Sequence, residues 1–256
     1  MDIRREILRN VILCQALAPL AKKPGIARSQ ELSGSQLESL IVAGVNSSWC
    51  FHDLAERILR NGGQPEHIYD LAWEALSASG RNRQGNHNVN YGQIALLVPL
   101  VTAQVLEYLD KGSCDVEAIL VRTGEVLRQT SPQDVESLEK FVRLGYELSA
   151  RQRERNGGTP KPSGPPVLQS QYGNVWEAMR DYQQIYVVRE TFQGYPNSLQ
   201  VHRYLLHNLD EGLLSSSEMI YRVLLAELRH ADAVADMLAA GLYLTLMSHP
   251  ESVLFP

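Results

Sequence analysis

The amino-acid sequence predicts an all-α protein, and three observations support that prediction. Apolar residues recur at three- and four-residue spacing along the whole chain, which is the periodicity of helices that bury one face. No long segment alternates apolar and polar residues as a half-buried strand does. Residues 94–106 contain only Thr102 and Gln104 as plainly polar residues, so this helix should be buried nearly all round. We therefore predict a single multi-helix bundle domain over residues 1–256, built around a buried central helix.

Breaks and capping residues divide the chain into its predicted helices. Asn61-Gly62-Gly63 supplies the left-handed residues that end a helix, and Thr130-Ser131-Pro132 combines a hydroxyl cap with a first-turn proline. In the central helix, Pro99 must either kink the backbone or leave a carbonyl for a neighbour to bind. We expect helices over residues 3–20, 35–61, 65–79, 94–106, 115–129, 132–155, 174–193, 198–208 and 216–240, followed by a short apolar tail to residue 256.

One low-complexity stretch interrupts the helical pattern. Residues 156–170 are rich in proline and glycine and cannot hold a helix. Because helical periodicity resumes beyond them, we predict a mobile surface loop that acts as an insertion or lid, and no boundary between two domains.

Composition and charge argue against several classes of function. The 256 residues suffice for a large core, and a net charge of −5 without a Lys/Arg run argues against nucleic-acid binding. Cys14, Cys50 and Cys114 are far apart and lack zinc or redox spacing, which is typical of buried thiols in a reducing compartment. The first residues lack the apolar core of a signal peptide, and residues 94–106 are too short to span a bilayer. We expect a cytoplasmic protein without a membrane segment, which pairs as a homodimer through apolar helix faces.

Two stretches carry residue types that bind anions. The first, Lys22-Lys23-Pro24-Gly25, is a sharp break after the first helix, with Arg28 close behind. Lys23 would act as a mobile point charge on a phosphate and Arg28 as a bidentate fork. The alternative is that these cations only complete the C-terminus of the first helix.

The second stretch opens the central helix. His87, Asn88, Asn90 and Tyr91 lie within five residues, and Asn88, Asn90 or Gly92 could each serve as the N-cap. The backbone N–H groups of a first turn, with the helix dipole behind them, form a site for phosphate or another anion. The alternative is a capped helix whose asparagines only hold a turn.

Other combinations of metal-binding residues lack essential members. His52-Asp53 is similar to the pair in HD phosphohydrolases, but no histidine precedes it to act as the first metal ligand. Glu227 and His230 have the spacing of di-iron carboxylate bundles, but no second copy occurs, which favours a surface salt bridge.

The remaining candidates are an imidazole pair and an aromatic seam. His202 and His207 are five residues apart and diverge on a helix. The second half also contains an aromatic seam, which either packs in the core or covers an adenine ring. Its members are Tyr172, Tyr182, Tyr186 and Tyr195. No nucleophile elbow, Walker loop or Rossmann fingerprint occurs.

The two anion-binding stretches resemble the motifs of the triphosphoribosyl-dephospho-CoA synthase family, particularly its shorter archaeal-type branch. Lys23-Pro24-Gly25 matches the family's Pro-Lys-Pro-Gly motif, which follows its first helix. The family's Gly-x-Asn-Thr-x-x-Gly motif precedes an apolar run with Pro-Leu, and Asn88, Gly92, Pro99 and Leu100 match that pattern. Weaker similarities occur at residues 130–134 and 175–179.

The sequence also departs from the family's motifs. Lys22 replaces the leading proline of the first motif, while Asn86 and Val89 replace the glycine and threonine of the second. The glutamate that the family carries before the first motif is absent from residues 16–19. Glu31 stands near the place of an acidic residue that follows that motif.

The resemblance implies a helical enzyme that acts on nucleotide substrates. It would open the adenine–ribose bond of ATP and attach the triphosphoribosyl unit to the 2′-hydroxyl of 3′-dephospho-CoA, with Mg²⁺ accompanying the triphosphate. The implied substrate-binding residues are Lys23, Gly25, Arg28, Asn88, Asn90 and Gly92, and the implied catalytic residues are His87 and Glu31. The departures favour a different reading, a catalytically inactive helical paralog that binds a nucleotide-like ligand or serves in a cofactor-assembly complex. A third possibility is a helical scaffold without a site.

Overall fold

A computed structural model describes residues 2–21, 34–79, 90–155 and 172–250 of the chain. Within these ranges it contains eleven α-helices, one short 3₁₀ turn and no β-strand, so the all-α prediction is confirmed. The predicted loop at residues 156–170 lies outside the described residues, and the single domain over residues 1–256 stays a prediction.

The helix bounds follow the apolar periodicity of the sequence. They are α1 Ile3–Ala21, α2 Gly34–Arg60, α3 Ile68–Ser79, α4 Tyr91–Lys111, α5 Val116–Gln129, α6 Pro132–Arg155, α7 Val175–Asp181, α8 Tyr186–Phe192, α9 Pro196–His207, α10 Leu213–Leu228 and α11 Ala231–Ser248, with the 3₁₀ turn at Leu209–Glu211.

Helix α4 is the predicted central helix, and its buried residues run almost without interruption from Gly92 to Glu107. It ends at Gly112, whose φ of 68° suits glycine and whose N–H donates to the Tyr108 carbonyl. Pro99 removes the intrahelical donor to the carbonyl of Ala95. One residue further along, the Leu96 carbonyl accepts a hydrogen bond of 2.9 Å from the buried Tyr195 hydroxyl, so the backbone near Pro99 is bound by a neighbouring element.

Helix α11 is a second apolar core helix, and the predicted helix 216–240 with its apolar tail is wrong. The chain breaks at Arg229, which takes a left-handed φ of 56°, and a new helix starts after His230. Its residues from Ala233 to Met247 are all buried. The predicted helix 174–193 is also wrong, because it is divided into α7 and α8 by a turn in which the Tyr182 N–H bonds to the Met179 carbonyl.

Helices α4 and α11 cross the interior side by side, and the remaining helices cover them. α11 packs against α1, α4 and α9, while α3 packs between α2 and α6. Gly241 permits the α9–α11 contact, because a Cβ there would overlap the Val201 side chain and lie 2.7 Å from the Ser198 carbonyl oxygen.

Helices α4 and α11 are also long and apolar enough to cross a bilayer, judged by length and composition alone. The length argument drawn from residues 94–106 therefore fails for α4, which has 21 residues. In each helix, 83% of the apolar 18-residue stretch is buried inside the bundle, and a core helix of a globular protein has the same length and composition.

Candidate functional site at the start of helix α4

The structure describes two of the eight predicted site residues. Asn90 and Gly92 lie at the start of α4. The other six lie outside the described residues: Lys23, Gly25, Arg28, Glu31, His87 and Asn88. The site is therefore built here from the described side chains that surround Asn90 and Gly92.

Gly92 lies against a buried carboxylate from α11. A Cβ at Gly92 would overlap the Asp236 carboxylate and lie 3.0 Å from the Tyr186 hydroxyl, so only glycine fits this position without a shift. The Tyr186 hydroxyl donates to Asp236 Oδ2. Asp236 is only 8% exposed, and the positive end of the α4 dipole stabilises a negative charge placed beside the first turn.

Burial and the carboxylate both affect the neighbouring phenols. Burial raises the pKa of Tyr186 far above its ordinary value, and the charges of Asp236 and Asp232 raise it further. Burial and then Asp236 also raise the pKa of Tyr91. Both phenols therefore stay protonated at neutral pH and can donate hydrogen bonds. Asp232 and Asp236 are four residues apart on α11, so they project from the same face of that helix.

A group of amides borders the site on the side of α1 and α2. Asn90 is the N-cap residue of α4, but its side chain makes no capping hydrogen bond. That side chain is fully buried, and its Nδ2 would lie 3.6 Å from a Cβ built on Gly44. The same Cβ would lie 2.9 Å from Gln15 Cβ, so Gly44 keeps α1 and α2 close together beside Asn90.

Two buried polar atoms in this region have no hydrogen-bond partner among the described residues: Gln15 Nε2 and Gln93 Oε1. Gln15 Oε1 does have one, because the Ser47 hydroxyl lies 2.9 Å from it. A buried polar atom without a partner is uncommon in a native protein and points to a ligand, a water or a segment that supplies the missing bond. Gln15 lies six residues before Ala21, so α1 ends roughly 9 Å further along its axis.

Sequence reasoning did not find the site residues from α1, α2 and α11, and it singled out Tyr186 on α8 only as a member of the tyrosine seam. Asp236 had a signal, because it is the single acidic residue of the buried segment from Ala233 to Met247. Gln15 had a weaker signal as an amide on the buried face of α1. Nothing in the sequence pairs Tyr186 with Asp236, which lie 50 residues apart.

The other metal-site candidates remain weak in the structure. His52, Asp53 and Glu56 place one ligand atom each within 4.8 Å of one another on α2. Glu56 is already paired with Arg60 at 2.5 Å. Glu227 and His230 do not share a helical face, because α10 ends at Leu228 and His230 precedes α11.

The histidine pair on α9 is divided between the core and the surface. His202 is buried and its Nδ1 lies 3.1 Å from the Thr245 hydroxyl. His207 ends α9 and is exposed, so the two rings do not share a metal site.

The predicted tyrosine seam has no single role. Tyr195 binds the α4 backbone and Tyr186 binds Asp236. Tyr172 donates to Asp181 at 2.8 Å, while Tyr182 lines an apolar cavity beside α4.

Comparison with known proteins gives a structural neighbour. No family model and no curated protein matches the chain. A crystal structure of an Archaeoglobus fulgidus protein, proposed to be a triphosphoribosyl-dephospho-CoA synthase, is similar with a TM-score of 0.50 and 17% sequence identity. The similarity covers 80% of this chain and 97% of that one. At this identity the similarity shows a shared helical fold.

Proposed function

We propose that the protein is a nucleotide-dependent transferase of cofactor biosynthesis, of the triphosphoribosyl-dephospho-CoA synthase kind. The observation that carries this proposal is the buried Asp236 carboxylate, which lies against Gly92 in the first turn of α4. Gly92 is one of the residues through which the sequence resembles the family. The shared fold of the Archaeoglobus fulgidus protein supports the same function.

A triphosphate at the start of α4 would meet both the helix dipole and the Asp236 carboxylate. The first-turn N–H groups attract the phosphate, but the carboxylate repels it unless a cation lies between them. Mg²⁺ prefers carboxylate and phosphate oxygens, so Asp236 and Asp232 have the right chemistry to hold it together with the triphosphate. When bound, the ion would neutralise part of the triphosphate charge. Lys23 and Arg28 would supply the remaining positive charge from the first anion-binding stretch.

The proposed reaction exchanges one bond at the anomeric carbon of the ATP ribose for another. The bond from C1′ to the adenine nitrogen breaks, and a bond from C1′ to the 2′-oxygen of 3′-dephospho-CoA forms. The acceptor hydroxyl loses its proton, and the departing adenine gains one. His87 and Glu31 are the proposed proton carriers, with Asn88 and Asn90 orienting the substrates.

A second candidate function is a nucleotide-binding paralog without transferase activity. The α1 side chain that lies beside the Asn90 region is Gln15, an amide, and residues 16–19 lack the family's glutamate. An amide binds Mg²⁺ more weakly than a carboxylate does. Such a paralog would bind ATP and leave it intact.

Incubation with ATP, Mg²⁺ and 3′-dephospho-CoA tests both candidates, with free adenine measured by chromatography. The transferase releases adenine only when the acceptor is present. Asp236→Asn should reduce that release about tenfold or more, while Asp210→Asn in the exposed 3₁₀ turn should leave it unchanged.

Thermal unfolding with and without Mg-ATP separates the remaining outcomes. Stabilisation by Mg-ATP without adenine release identifies the paralog, because a ligand that binds the folded state raises its stability. If adenine is not released and Mg-ATP does not shift the unfolding midpoint, both candidate functions are wrong.

A further inference from the structure

Helix α2 carries a row of apolar side chains that the fold leaves uncovered. Among the described residues, eight large apolar side chains are exposed, and three of them lie on α2. Val42 is 40% exposed, Val45 is 41% exposed and Trp49 is 57% exposed. The other five are spread over four helices. Single exposed apolar residues are common on protein surfaces, whereas a row of them on one helix marks a surface that another protein chain covers.

The row has the spacing of a helix that pairs with another helix along its length. Its three apolar residues are three and four positions apart, Glu38 precedes them by four positions, and His52 follows them by three. This alternation of three and four is the heptad pattern of paired helices. At about 100° per residue, all five positions lie within an arc of about 80° on α2. We call these residues the α2 stripe: Glu38, Val42, Val45, Trp49 and His52.

The opposite side of α2 is packed inside the protein. Gly44 brings α2 close to Gln15 of α1, and the Ser47 hydroxyl donates to Gln15 Oε1 at 2.9 Å. Phe51 and Leu54 are buried in the core. A partner bound to the α2 stripe therefore lies on the side of α2 that faces away from the amides of the candidate site.

Two copies of the α2 stripe are complementary when they run antiparallel. Position 45 lies seven residues from both position 38 and position 52, so a twofold axis through Val45 exchanges the two ends of the stripe. Val45 then lies against Val45 of the second copy, and Val42 lies against Trp49. Glu38 lies against His52. Every apolar residue of the stripe therefore meets an apolar residue, and both ends of the stripe meet polar groups.

Charge favours this pairing over other pairings of the same stripe. A parallel pair would place Glu38 against Glu38 of the second copy. An antiparallel pair shifted by one contact would place Glu38 against Glu56 and Val42 against His52. Like charges that meet across an interface weaken it. In the pair centred on Val45, Glu38 meets an imidazole, which is neutral or positive and never negative.

The acidic groups beside His52 already have partners within the chain. Asp53 Oδ1 lies 3.3 Å from Nδ1 of the His52 ring. Glu56 Oε1 is paired with Arg60 at 2.5 Å and lies 3.8 Å from Arg4 Nη1. These two cations offset the negative charge that Glu38 of a second copy would otherwise meet at this end of the stripe.

Trp49 supplies most of the apolar surface that pairing would bury. Its exposed part corresponds to about 140 Å², if a whole tryptophan side chain is taken as about 250 Å². Tryptophan is enriched among the residues that dominate interface energies. The α2 stripe is only about 21 Å long, so pairing through it buries less than the roughly 800 Å² per partner of a standard interface. A dimer formed in this way should therefore dissociate on dilution.

We propose that the protein forms a twofold-symmetric homodimer in which α2 of one copy packs antiparallel against α2 of the other along the α2 stripe. Val45 lies at the twofold axis, and each copy contributes the same five residues. The assignment rests on the exposure, spacing and charge of these residues, and it does not depend on the proposed transferase function.

Sedimentation velocity over a series of protein concentrations tests the dimer. Wild-type protein should change from monomer to dimer between roughly 1 and 100 µM. Val45→Glu places two carboxylates at the twofold axis and should raise the dissociation constant at least about tenfold. Val223→Glu on α10 is the matched control, because Val223 is 44% exposed and lies outside the stripe, so this variant should associate as wild type does. Because both positions are exposed, thermal unfolding at the lowest concentration should give both variants the midpoint of wild type.

A pair of charge substitutions tests the antiparallel arrangement. His52→Glu places a carboxylate against Glu38 of the second copy and should raise the dissociation constant at least about tenfold. Adding Glu38→Lys to His52→Glu should restore association, because each lysine then meets a glutamate of the other copy. A parallel pair would not be restored, because positions 38 and 52 would each meet their own equivalent.

Three results would overturn the assignment. The first is a wild-type protein that remains a monomer over the whole concentration series. The second is association of Val45→Glu or His52→Glu equal to that of wild type, which would place the contact on another surface. The third is a double variant that associates no better than His52→Glu alone, which would exclude the antiparallel arrangement.

Discussion

Replacing Gly92 with alanine tests whether the Asp236 carboxylate lies against the first turn of α4. The new methyl group would overlap that carboxylate, so Asp236 or α11 must move and the hydrogen bond from Tyr186 must weaken. Overpacking of this kind costs about 1–3 kcal/mol. Alanine recovers at most about 1 kcal/mol from its better helix propensity, and less at a helix end. We expect a net loss in the free energy of unfolding of about 1–2 kcal/mol.

A second substitution should reverse the sign of this effect. In an Asp236→Ala background the overlapping group is gone, and the Tyr186 hydroxyl at 3.0 Å is the end of a side chain that can move. Gly92→Ala should then be neutral or stabilising by up to about 1 kcal/mol. The double-mutant cycle should give a coupling of about 1–3 kcal/mol between the two positions.

Urea unfolding followed by circular dichroism measures all four proteins. Gly124→Ala on α5 is the matched control, because its Cβ would approach only the end of the exposed Arg128 side chain at 3.2 Å and should cost little. An equal effect of Gly92→Ala in both backgrounds would refute the close approach of Asp236 to α4.

Two further predictions concern the packing of α9 against α11. Burial, and then the charges of His249 and Arg203, lower the pKa of His202 to about 4 from an ordinary value of 6.5. The unfolded chain therefore binds the imidazole proton more tightly than the folded protein does. As the pH falls from 6.5 toward 4, the free energy of unfolding should decrease by about 3 kcal/mol in total because of His202. Urea unfolding between pH 4 and 7 should show a shallower loss for His202→Gln, and parallel curves would contradict the assignment. Gly241→Ala should lower the free energy of unfolding by about 1–3 kcal/mol, because its methyl group overlaps Val201 and approaches the Ser198 carbonyl oxygen. A urea midpoint within error of wild type would contradict this prediction and show that α9 can move away from α11.

The sequence identified the region of the candidate site through its own residues. Asn90 and Gly92 were predicted because amides and glycine before an apolar helix are typical of an anion-binding helix start, and the structure places both at the start of α4. It could not supply Asp236 or Gln15, which come from two other helices, and it did not pair Tyr186 with Asp236. Each of them looks like an ordinary helix residue until the partner helix is known.

Helical periodicity and chain breaks determined the all-α class and most helix bounds, because both are local properties of neighbouring residues. The two wrong bounds, at residues 174–193 and 216–240, lie where a short turn interrupts a continuous apolar pattern. Arg229 takes a left-handed conformation without the glycine or asparagine that usually marks one, so no residue type signals that break.

Only the tertiary structure decided which charges and cavities come together. The approach of Asp236 to Gly92 joins residues more than a hundred positions apart in the sequence, and the small apolar cavity lined by Tyr182 exists only where five helices leave space between them. Such features depend on how helices cross, and crossing is set by the shapes of all the packed side chains together. The sequence therefore determined a helical protein and predicted an anion site at the start of α4, and the packing of α8 and α11 around that start decided what lies beside it.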